Sequence, residues 1–108
     1  MQSAREACNR EHPRRIGNYL PHADCDCVNA AVERYALPTA RYPDLIRLQE
    51  EVRSALSDKV DRHRIGVRDG ERRMAEADRL ITAAERDRDA GNNAAAARRL
   101  ATVEGMLR

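Results

Sequence analysis

The segment RIGVRDG, residues 64–70, decides whether the second half of this chain forms one helix or two. Apolar residues recur at helical spacing on both sides of it, from Leu45 to Val60 and from Met74 to Ala84. Each of its two glycines costs about 1 kcal/mol relative to alanine inside a helix. The Asp69-Gly70 pair also favours a turn, so local chemistry argues for a break.

A seven-residue apolar repeat crosses the same segment and favours the opposite outcome. Its members are Val60, Val67, Met74 and Ile81. A repeat of this kind is typical of a coiled coil, in which one face of a continuous helix stays apolar. We therefore expect one helix over about residues 44–89, with two helices separated at residues 66–70 as the alternative. A broken body would let three helices cover one another in a bundle, whereas an unbroken one needs cover from elsewhere.

The C-terminal end predicts an antiparallel helical hairpin. Gly91 suits the left-handed residue that ends a helix, and Asn92 or Asn93 suits the cap of the next. The last helix then covers about residues 94–107. Two helices joined by so short a turn run antiparallel. The apolar face of the last helix is expected to consist of Ala97, Leu100, Val103 and Leu107.

Proline content divides the chain into two parts. All four prolines lie before Asp44, and none follows it. This shift separates a turn-rich head, residues 1–43, from a helical body, residues 44–108. The sequence as a whole predicts an all-α protein.

Two short helices are expected in the head. A capping box at Ser3–Glu6 begins a helix over about residues 4–12, and residues 13–24 are predicted to form a loop. A second helix follows over about residues 26–36. Its apolar face is expected to consist of Val28, Ala31, Val32 and Tyr35.

The composition allows only a small apolar core. The 108 residues include no Phe or Trp and 35% are charged, so the core must consist of Leu, Ile, Val and Ala. Burial contributes about 25 cal/mol per Å² of apolar surface, and these side chains bury little area each. Small domains of this kind are commonly stabilised by a metal, by disulfides or by a partner.

A candidate metal site lies in CNREHPRRIGNYLPHADCDC, residues 8–27, which holds all three cysteines and two of the three histidines. Cys8 and His12 are four residues apart, on one face of the first helix. Cys25 and Cys27 come at the start of the second helix, where the helix dipole favours thiolate. One imidazole and three thiolates form a closed tetrahedral set suited to structural Zn²⁺.

Alternatives stay open for this cluster. His22 is a substitute for His12 as the fourth ligand, because the following Pro13 strains the helix there. The cysteines are otherwise ordinary buried thiols, or Cys25 and Cys27 form a thiol-redox pair or a soft-metal site.

Catalysis is not expected. A closed zinc site leaves no coordination position for water. The sequence has no nucleophile elbow, phosphate loop or dinucleotide fingerprint. We therefore predict that the protein is not an enzyme.

Arginines form a candidate nucleic-acid surface. On a continuous helix Arg64, Arg68 and Arg72 would lie along one face, with Arg73 and Arg79 beside them. Acidic residues nearby are expected to neutralise part of this charge, in the pairs Asp58–Arg62, Asp69–Arg73 and Arg72–Glu76. The net charge is only +2, so nucleic acid is a secondary expectation.

The N-terminal residues lack the apolar core of a signal peptide, and the chain has no run of eighteen apolar residues. We therefore expect a cytoplasmic protein without membrane contact. Disulfides are rare in the cytoplasm, which favours metal binding by the cysteines.

The expected function is a non-catalytic protein–protein interaction or assembly module, which binds another protein or a second copy through its helical body. One alternative is a small regulator that contacts nucleic acid or the transcription machinery. Nucleic acid would be contacted through the Arg64–Arg79 segment. For the transcription machinery there is only an analogy of arrangement with zinc-bearing proteins whose acidic-tipped hairpin enters the secondary channel of bacterial RNA polymerase, since Asp87 and Asp89 lie at the expected tip. A second alternative is a thiol-redox or metal-handling protein using Cys25 and Cys27.

Overall fold

The structure is a computed structural model that describes the backbone of residues 22–108 and the side chains of residues 27–108. This part of the chain is helical and contains no strand, which confirms the all-α class. The helix expected over about residues 4–12 lies outside it. The four α-helices of the described part are α1 (His22–Ala31), α2 (Pro43–Asp61), α3 (Val67–Asp89) and α4 (Asn93–Gly105).

The expectation of one continuous helix over residues 44–89 is wrong. The chain leaves the helical conformation at residues 62–66, between α2 and α3. His63 adopts a left-handed backbone with φ 59°, which ends α2. Gly66 is extended, with φ −76° and ψ 162°, and leads into α3. The break therefore overlaps the segment 66–70 only at Gly66, and Gly70 lies within α3.

Gly70 accounts for the way the two helices pack. It is buried, and a Cβ at this position would lie 2.8 Å from Cγ2 of Val60. The backbone of α3 therefore approaches α2 more closely than a residue with a side chain allows. The seven-residue repeat is therefore divided between two helices that pack together at Gly70. Val60 lies on α2, and its other three members lie on α3.

One apolar core joins α2, α3 and α4 in a three-helix bundle. The apolar faces predicted for α2 and α3 are largely buried in it, although Leu48 and Met74 are only partly buried. On α4, Ala96 is buried where Ala97 was expected, and Ala97 is exposed. The buried members of this core are Leu45, Val52, Leu56, Ala77, Leu80, Ile81, Ala84, Ala96, Leu100 and Val103.

A three-residue turn, residues 90–92, joins α3 to α4. Gly91 has φ 77°, in the left-handed region that the sequence predicts for it. The Asn92 side chain accepts a hydrogen bond from the amide of Ala95 at 3.2 Å and caps α4. Arg99 of α4 is paired with Asp87 of α3 at 2.8 Å, which holds the two helices together near the turn.

Polar contacts fix the beginning of α2 to the end of α3. Arg88 donates two hydrogen bonds to the carboxylate of Asp44, at 2.9 and 2.8 Å. This bidentate contact lowers the pKa of Asp44. The Arg88 guanidinium also lies 5.2 Å from the centre of the Tyr42 ring. The contacts position the N-terminal half of α2, against which the preceding segment packs.

We call residues 22–39 the arm; it comprises α1, a π-helical turn at Val32–Ala36 and a 3₁₀ turn at Leu37–Thr39. It packs against α2 through an apolar cluster separate from the bundle core. Val28 and Val32 are the buried members of that cluster, and they contact Cys27, Ala36 and Ile46.

The arm departs from the sequence expectation at both ends. Its helix begins at His22, so the loop predicted through residue 24 is wrong there. Tyr35 is 52% exposed rather than buried with Val28 and Val32. The π-helical turn that begins at Val32 is wider than an α-helical turn, so residues after it no longer follow the α-helical face.

We expect Gly70→Ala to destabilise the chain by about 1 kcal/mol. Alanine gains about 1 kcal/mol of helix propensity, but overpacking a close contact costs typically about 1–3 kcal/mol. Urea unfolding followed by circular dichroism measures the difference.

Gly105→Ala is the matched control, because this helical glycine has nothing within 4 Å of an added Cβ. It should be neutral or slightly stabilising. Val60→Ala should cost less in the Gly70→Ala background than in the wild type. Equal behaviour of the two glycine variants would contradict the close approach of α2 and α3.

Candidate functional site

Most of the predicted zinc ligands lie outside the described side chains. Cys8 and His12 precede the described backbone, and only the backbone of α1 is described at His22 and Cys25. Cys27 is half-buried and is disulfide-bonded in this structure. Within the described residues, no group of three or more His, Cys, Asp or Glu side chains is placed to hold a metal ion. The zinc set therefore stays a prediction.

The beginning of α1 at His22 changes what that prediction requires. Positions 25 and 27 lie inside the helix rather than at its start. Residues two apart on an α-helix lie on nearly opposite sides of the axis and do not face each other. A zinc ion bound by both Cys25 and Cys27, or a disulfide between them, requires this turn of α1 to unwind.

The candidate nucleic-acid arginines do not form one continuous stripe. Arg64 lies in the segment between α2 and α3, and the other four lie on α3. Ion pairs within α3 hold three of them: Arg72 and Arg73 with Asp69, at 2.5 and 2.9 Å, and Arg79 with Glu76, at 2.5 Å. The predicted Arg72–Glu76 pair is thus replaced by two others. A phosphate group would have to compete with a carboxylate at each of these three arginines.

The two carboxylates expected at the hairpin tip are both paired with groups of the chain itself. Asp87 accepts a hydrogen bond from Arg99 at 2.8 Å. Asp89 accepts one from the Tyr42 hydroxyl at 2.7 Å and lies 3.0 Å from the Arg41 guanidinium. These contacts give both carboxylates a structural role, and they weaken the analogy with an exposed acidic tip.

A cleft of about 710 Å³ lies between the arm and α2. Glu33 lines it from the π-helical turn of the arm, and Glu50 and Glu51 line it from α2. Among the described residues of the lining, Arg47 is the one that is basic. The neutral lining residues are Asn29, Ala30, Leu37 and Ser54.

A buried arginine next to the cleft ties the arm to α2. Arg53 is only 7% exposed, and its guanidinium donates a hydrogen bond to Oδ1 of Asn29. Nδ2 of Asn29 donates in turn to the Ser54 hydroxyl at 3.1 Å. A buried guanidinium is stable only when it has hydrogen-bond acceptors, so this network fixes the register of α1 on α2.

Glu50 is the unusual residue of the cleft. Its Oε1 is enclosed and has no hydrogen-bond partner in the described part of the chain. Burial raises the pKa of Glu50, and the nearby Glu33 carboxyl raises it further through its charge and hydrogen bonding. The positive charges of Arg53 and Arg47 lower the same pKa.

The Glu33 carboxylate does not supply the hydrogen bond that Oε1 of Glu50 lacks. Two ionised carboxylates offer acceptors only, so Glu33 cannot donate to Glu50 unless a proton lies between them. A cation that donates hydrogen bonds to Glu50 would therefore satisfy the enclosed oxygen.

The sequence contains a weak signal for this cleft. Residues at helical spacing form a polar stripe beside the apolar face of α2: Glu50, Arg53, Ser54 and Ser57. Such a stripe normally faces solvent, but Arg53 and Ser57 are buried, at 7% and 3% exposure. Nothing in the residue pattern shows that α1 packs on this side of α2.

No protein-family model, no curated protein and no solved structure matches this chain. In residues 22–108, no helix combines the length and the apolar character needed to cross a membrane. The cleft and the cysteine cluster are therefore the features from which a function can be argued.

The disulfide at Cys27 and the predicted zinc set lead to different numbers of free thiols and of bound zinc ions in the purified chain. With the disulfide, we expect one reactive thiol among the three cysteines after denaturation under argon in chelator, and no bound zinc. Thiol titration with Ellman's reagent and metal analysis by mass spectrometry measure both quantities on the same sample.

Cys27→Ser is the informative variant, because it should raise the thiol count from one to two. Three thiols and one zinc per wild-type chain, with zinc lost in Cys27→Ser, would instead support the ligands Cys8, His12, Cys25 and Cys27.

Proposed function

We propose that this chain is a non-catalytic protein–protein interaction module that binds a basic segment of a partner protein in the cleft between the arm and α2. The observation that carries the proposal is the enclosed Oε1 of Glu50, which has no hydrogen-bond partner in the described residues. A buried polar atom without a partner costs about 1–3 kcal/mol, and more when it is charged. An arginine or lysine from a partner would remove that cost.

The charges around the cleft support a basic partner. Of the lining residues that the structure describes, three are glutamates and one, Arg47, is an arginine. The other nearby cation, Arg53, is buried and bonded to Asn29, so it contributes little to the open surface. A complementary positive group would be steered towards such a rim and oriented by it. The volume of about 710 Å³ suits a few side chains of an extended segment.

The bundle supplies a fixed wall for this cleft. Val52 and Leu56 anchor α2 in the core that it shares with α3 and α4. Arg88 holds its first turn through Asp44. The opposite wall is the arm, which packs on α2 through its own apolar cluster. A rigid helix facing a separately packed arm is an arrangement that admits a ligand between two elements.

A thiol-redox function is the second candidate, because Cys27 is disulfide-bonded in this structure. A dithiol that cycles would be reduced and reoxidised reversibly by a thiol–disulfide buffer. The zinc-stabilised head is a separate proposal, which the thiol and metal counts decide. Nucleic-acid binding through Arg64, Arg68, Arg72, Arg73 and Arg79 has the weaker support, because three of these residues are paired with carboxylates.

Nuclear magnetic resonance titration of the full ¹⁵N-labelled chain tests the docking proposal. The probe is a capped Gly-Arg-Gly-Arg-Gly peptide at about pH 7.5, and the matched peptide replaces both arginines with the uncharged isostere citrulline. We expect the arginine peptide alone to shift amide resonances of residues 28–37 and 47–54. Glu50→Gln should weaken this binding roughly fivefold or more, since it removes a charge from a desolvated pair.

Glu104→Gln serves as the control, because it removes an exposed carboxylate of α4 far along the chain from the arm. It should leave the shifts in residues 28–37 and 47–54 unchanged. Equal responses to the arginine and citrulline peptides, or shifts spread over every acidic helix face, would overturn the proposal.

A further inference from the structure

The disulfide at Cys27 has two possible partners within one chain, because the sequence contains three cysteines. Cys25 and Cys27 both lie in α1, whose backbone is helical from His22 to Ala31. The Cβ atoms of residues two apart on an α-helix point away from each other, and such a pair cannot be bridged unless the backbone unwinds. The helix therefore leaves Cys8 as the partner of Cys27.

A Cys8–Cys27 disulfide attaches the N-terminal residues close to the acidic cleft. Cys27 precedes Ala30 by three positions on α1, so the two residues lie on one face of the helix. Ala30 lines the cleft, and Cys27 contacts the cluster of Val28 and Val32 through which the arm packs on α2. The point of attachment is therefore about one helical turn from the cleft.

The segment REHPRR, residues 10–15, holds three of the four arginines of residues 1–21, which precede the described part of the chain. It contains one glutamate, whereas the described lining of the cleft contains three glutamates and one arginine. We propose that this segment, tethered by the Cys8–Cys27 disulfide, occupies the cleft as an internal ligand and competes there with a basic segment of a partner. The competition rests on the proposed function, but the occupancy can be observed without a partner.

The length of the segment allows it to reach the cleft. An extended residue spans at most about 3.6 Å, so Arg14 can lie up to roughly 20 Å from the disulfide. The arm residues of the lining run from Asn29 to Leu37. At about 1.5 Å per helical residue, this wall is roughly 12 Å long. Residues 16–21 then connect the segment to α1, so it can lie along the arm while it is attached at both ends.

Tethering makes an otherwise weak ligand effective. A short linker gives the segment an effective concentration in the millimolar range at the cleft. A guanidinium carries five N–H donors, and the enclosed Oε1 of Glu50 has no donor among the described residues. An arginine of the segment would satisfy this oxygen in the same way as an arginine of a partner. A partner must therefore displace a local competitor, and breaking the tether weakens that competitor.

Disulfide mapping of the full chain tests the pairing. Free thiols are blocked with N-ethylmaleimide, and the unreduced chain is then cleaved on the N-terminal side of aspartates with endoproteinase Asp-N. Cleavage before Asp24 and Asp26 separates the three cysteines into residues 1–23, 24–25 and 26–43. We expect mass spectrometry to find residues 1–23 joined to residues 26–43. A bond between residues 24–25 and 26–43 would overturn the tether. Three blocked thiols would also overturn it, because the predicted zinc set uses Cys8 and Cys27 as thiolates.

Amide resonances of the ¹⁵N-labelled chain without peptide test the occupancy. Arg14→Gln/Arg15→Gln removes two charges of the segment and keeps the tether. It should shift the amide resonances of residues 28–37 and 47–54, which form the two walls of the cleft. The amide resonances of residues 77–84, in the bundle core, should not shift.

Two comparisons make these shifts specific. In a Glu50→Gln background the double arginine substitution should have a smaller effect, because one of the groups proposed to interact is already removed. Arg64→Gln/Arg68→Gln is the matched control, since it removes the same charge from exposed positions and should leave residues 28–37 unshifted.

Two results would overturn the internal ligand: arm resonances unchanged by loss of Arg14 and Arg15, or equal shifts in the control pair. Shifts that vary with protein concentration would place the segment of a second copy in the cleft, and would overturn it as well.

Titration with the capped Gly-Arg-Gly-Arg-Gly peptide tests the competition. We expect the peptide to bind Cys8→Ser roughly fivefold or more tightly than the wild type, because loss of the tether lowers the local concentration of the competitor. The same gain is expected for Arg14→Gln/Arg15→Gln. Cys25→Ser is the matched control, since it keeps the tether and should bind like the wild type.

Equal affinities of the wild type and both tether and arginine variants would overturn the competition. If no variant binds the peptide while the loss of Arg14 and Arg15 still shifts the arm, the docking of a partner fails and the internal ligand stands. Failure of the proposed function and failure of the internal ligand are therefore seen in different measurements.

Discussion

The close approach of Gly70 to Val60 is the contact on which the rest of the fold depends. The chain turns at residues 62–66, and the contact then lets α3 pack closely on α2, so the apolar faces of both helices share one core with α4. The core contains three alanines, Ala77, Ala84 and Ala96, which bury little area each. Small side chains contribute through the close packing of helices that they permit. A glycine at the crossing is therefore part of the same solution as an alanine-rich core.

Helix α2 is covered on two faces, by α3 and α4 on one side and by the arm on the other. One face carries Val52 and Leu56 into the three-helix core. The other carries Arg53 and Ser57, which are buried although they are polar. The arm covers that second face with few apolar residues, so its attachment relies on hydrogen bonds more than on burial. Hydrogen bonds to ionisable groups respond to pH and to charged ligands, whereas apolar burial does not.

The sequence carried most of the fold because helix ends and apolar faces depend on local chemistry. Gly91 and Asn92 end one helix and begin the next through their own backbone and side-chain preferences. The break at residues 62–66 could not be decided in the same way, since a seven-residue repeat is equally the signature of one helix and of two packed helices. The distinction depends on the contact between Val60 and Gly70, which is tertiary.

The candidate site was hidden for the same physical reason. Glu33 and Glu50 are seventeen positions apart in the chain, and neither belongs to a motif. Their chemistry arises only when the arm packs on the polar side of α2 and removes water from one carboxylate oxygen. The cysteine cluster drew attention in the sequence because unusual residues were crowded, whereas ordinary glutamates become unusual only through their surroundings.

A proton and a basic side chain would satisfy the same group in this cleft, so they must compete for it. Burial and the nearby Glu33 carboxyl raise the pKa of Glu50 and so favour its protonated form. Ionisation of Glu50 is therefore the change that makes the cleft attractive to a cation. By linkage, a cation that binds the ionised pair lowers the pKa of Glu50 and releases the proton.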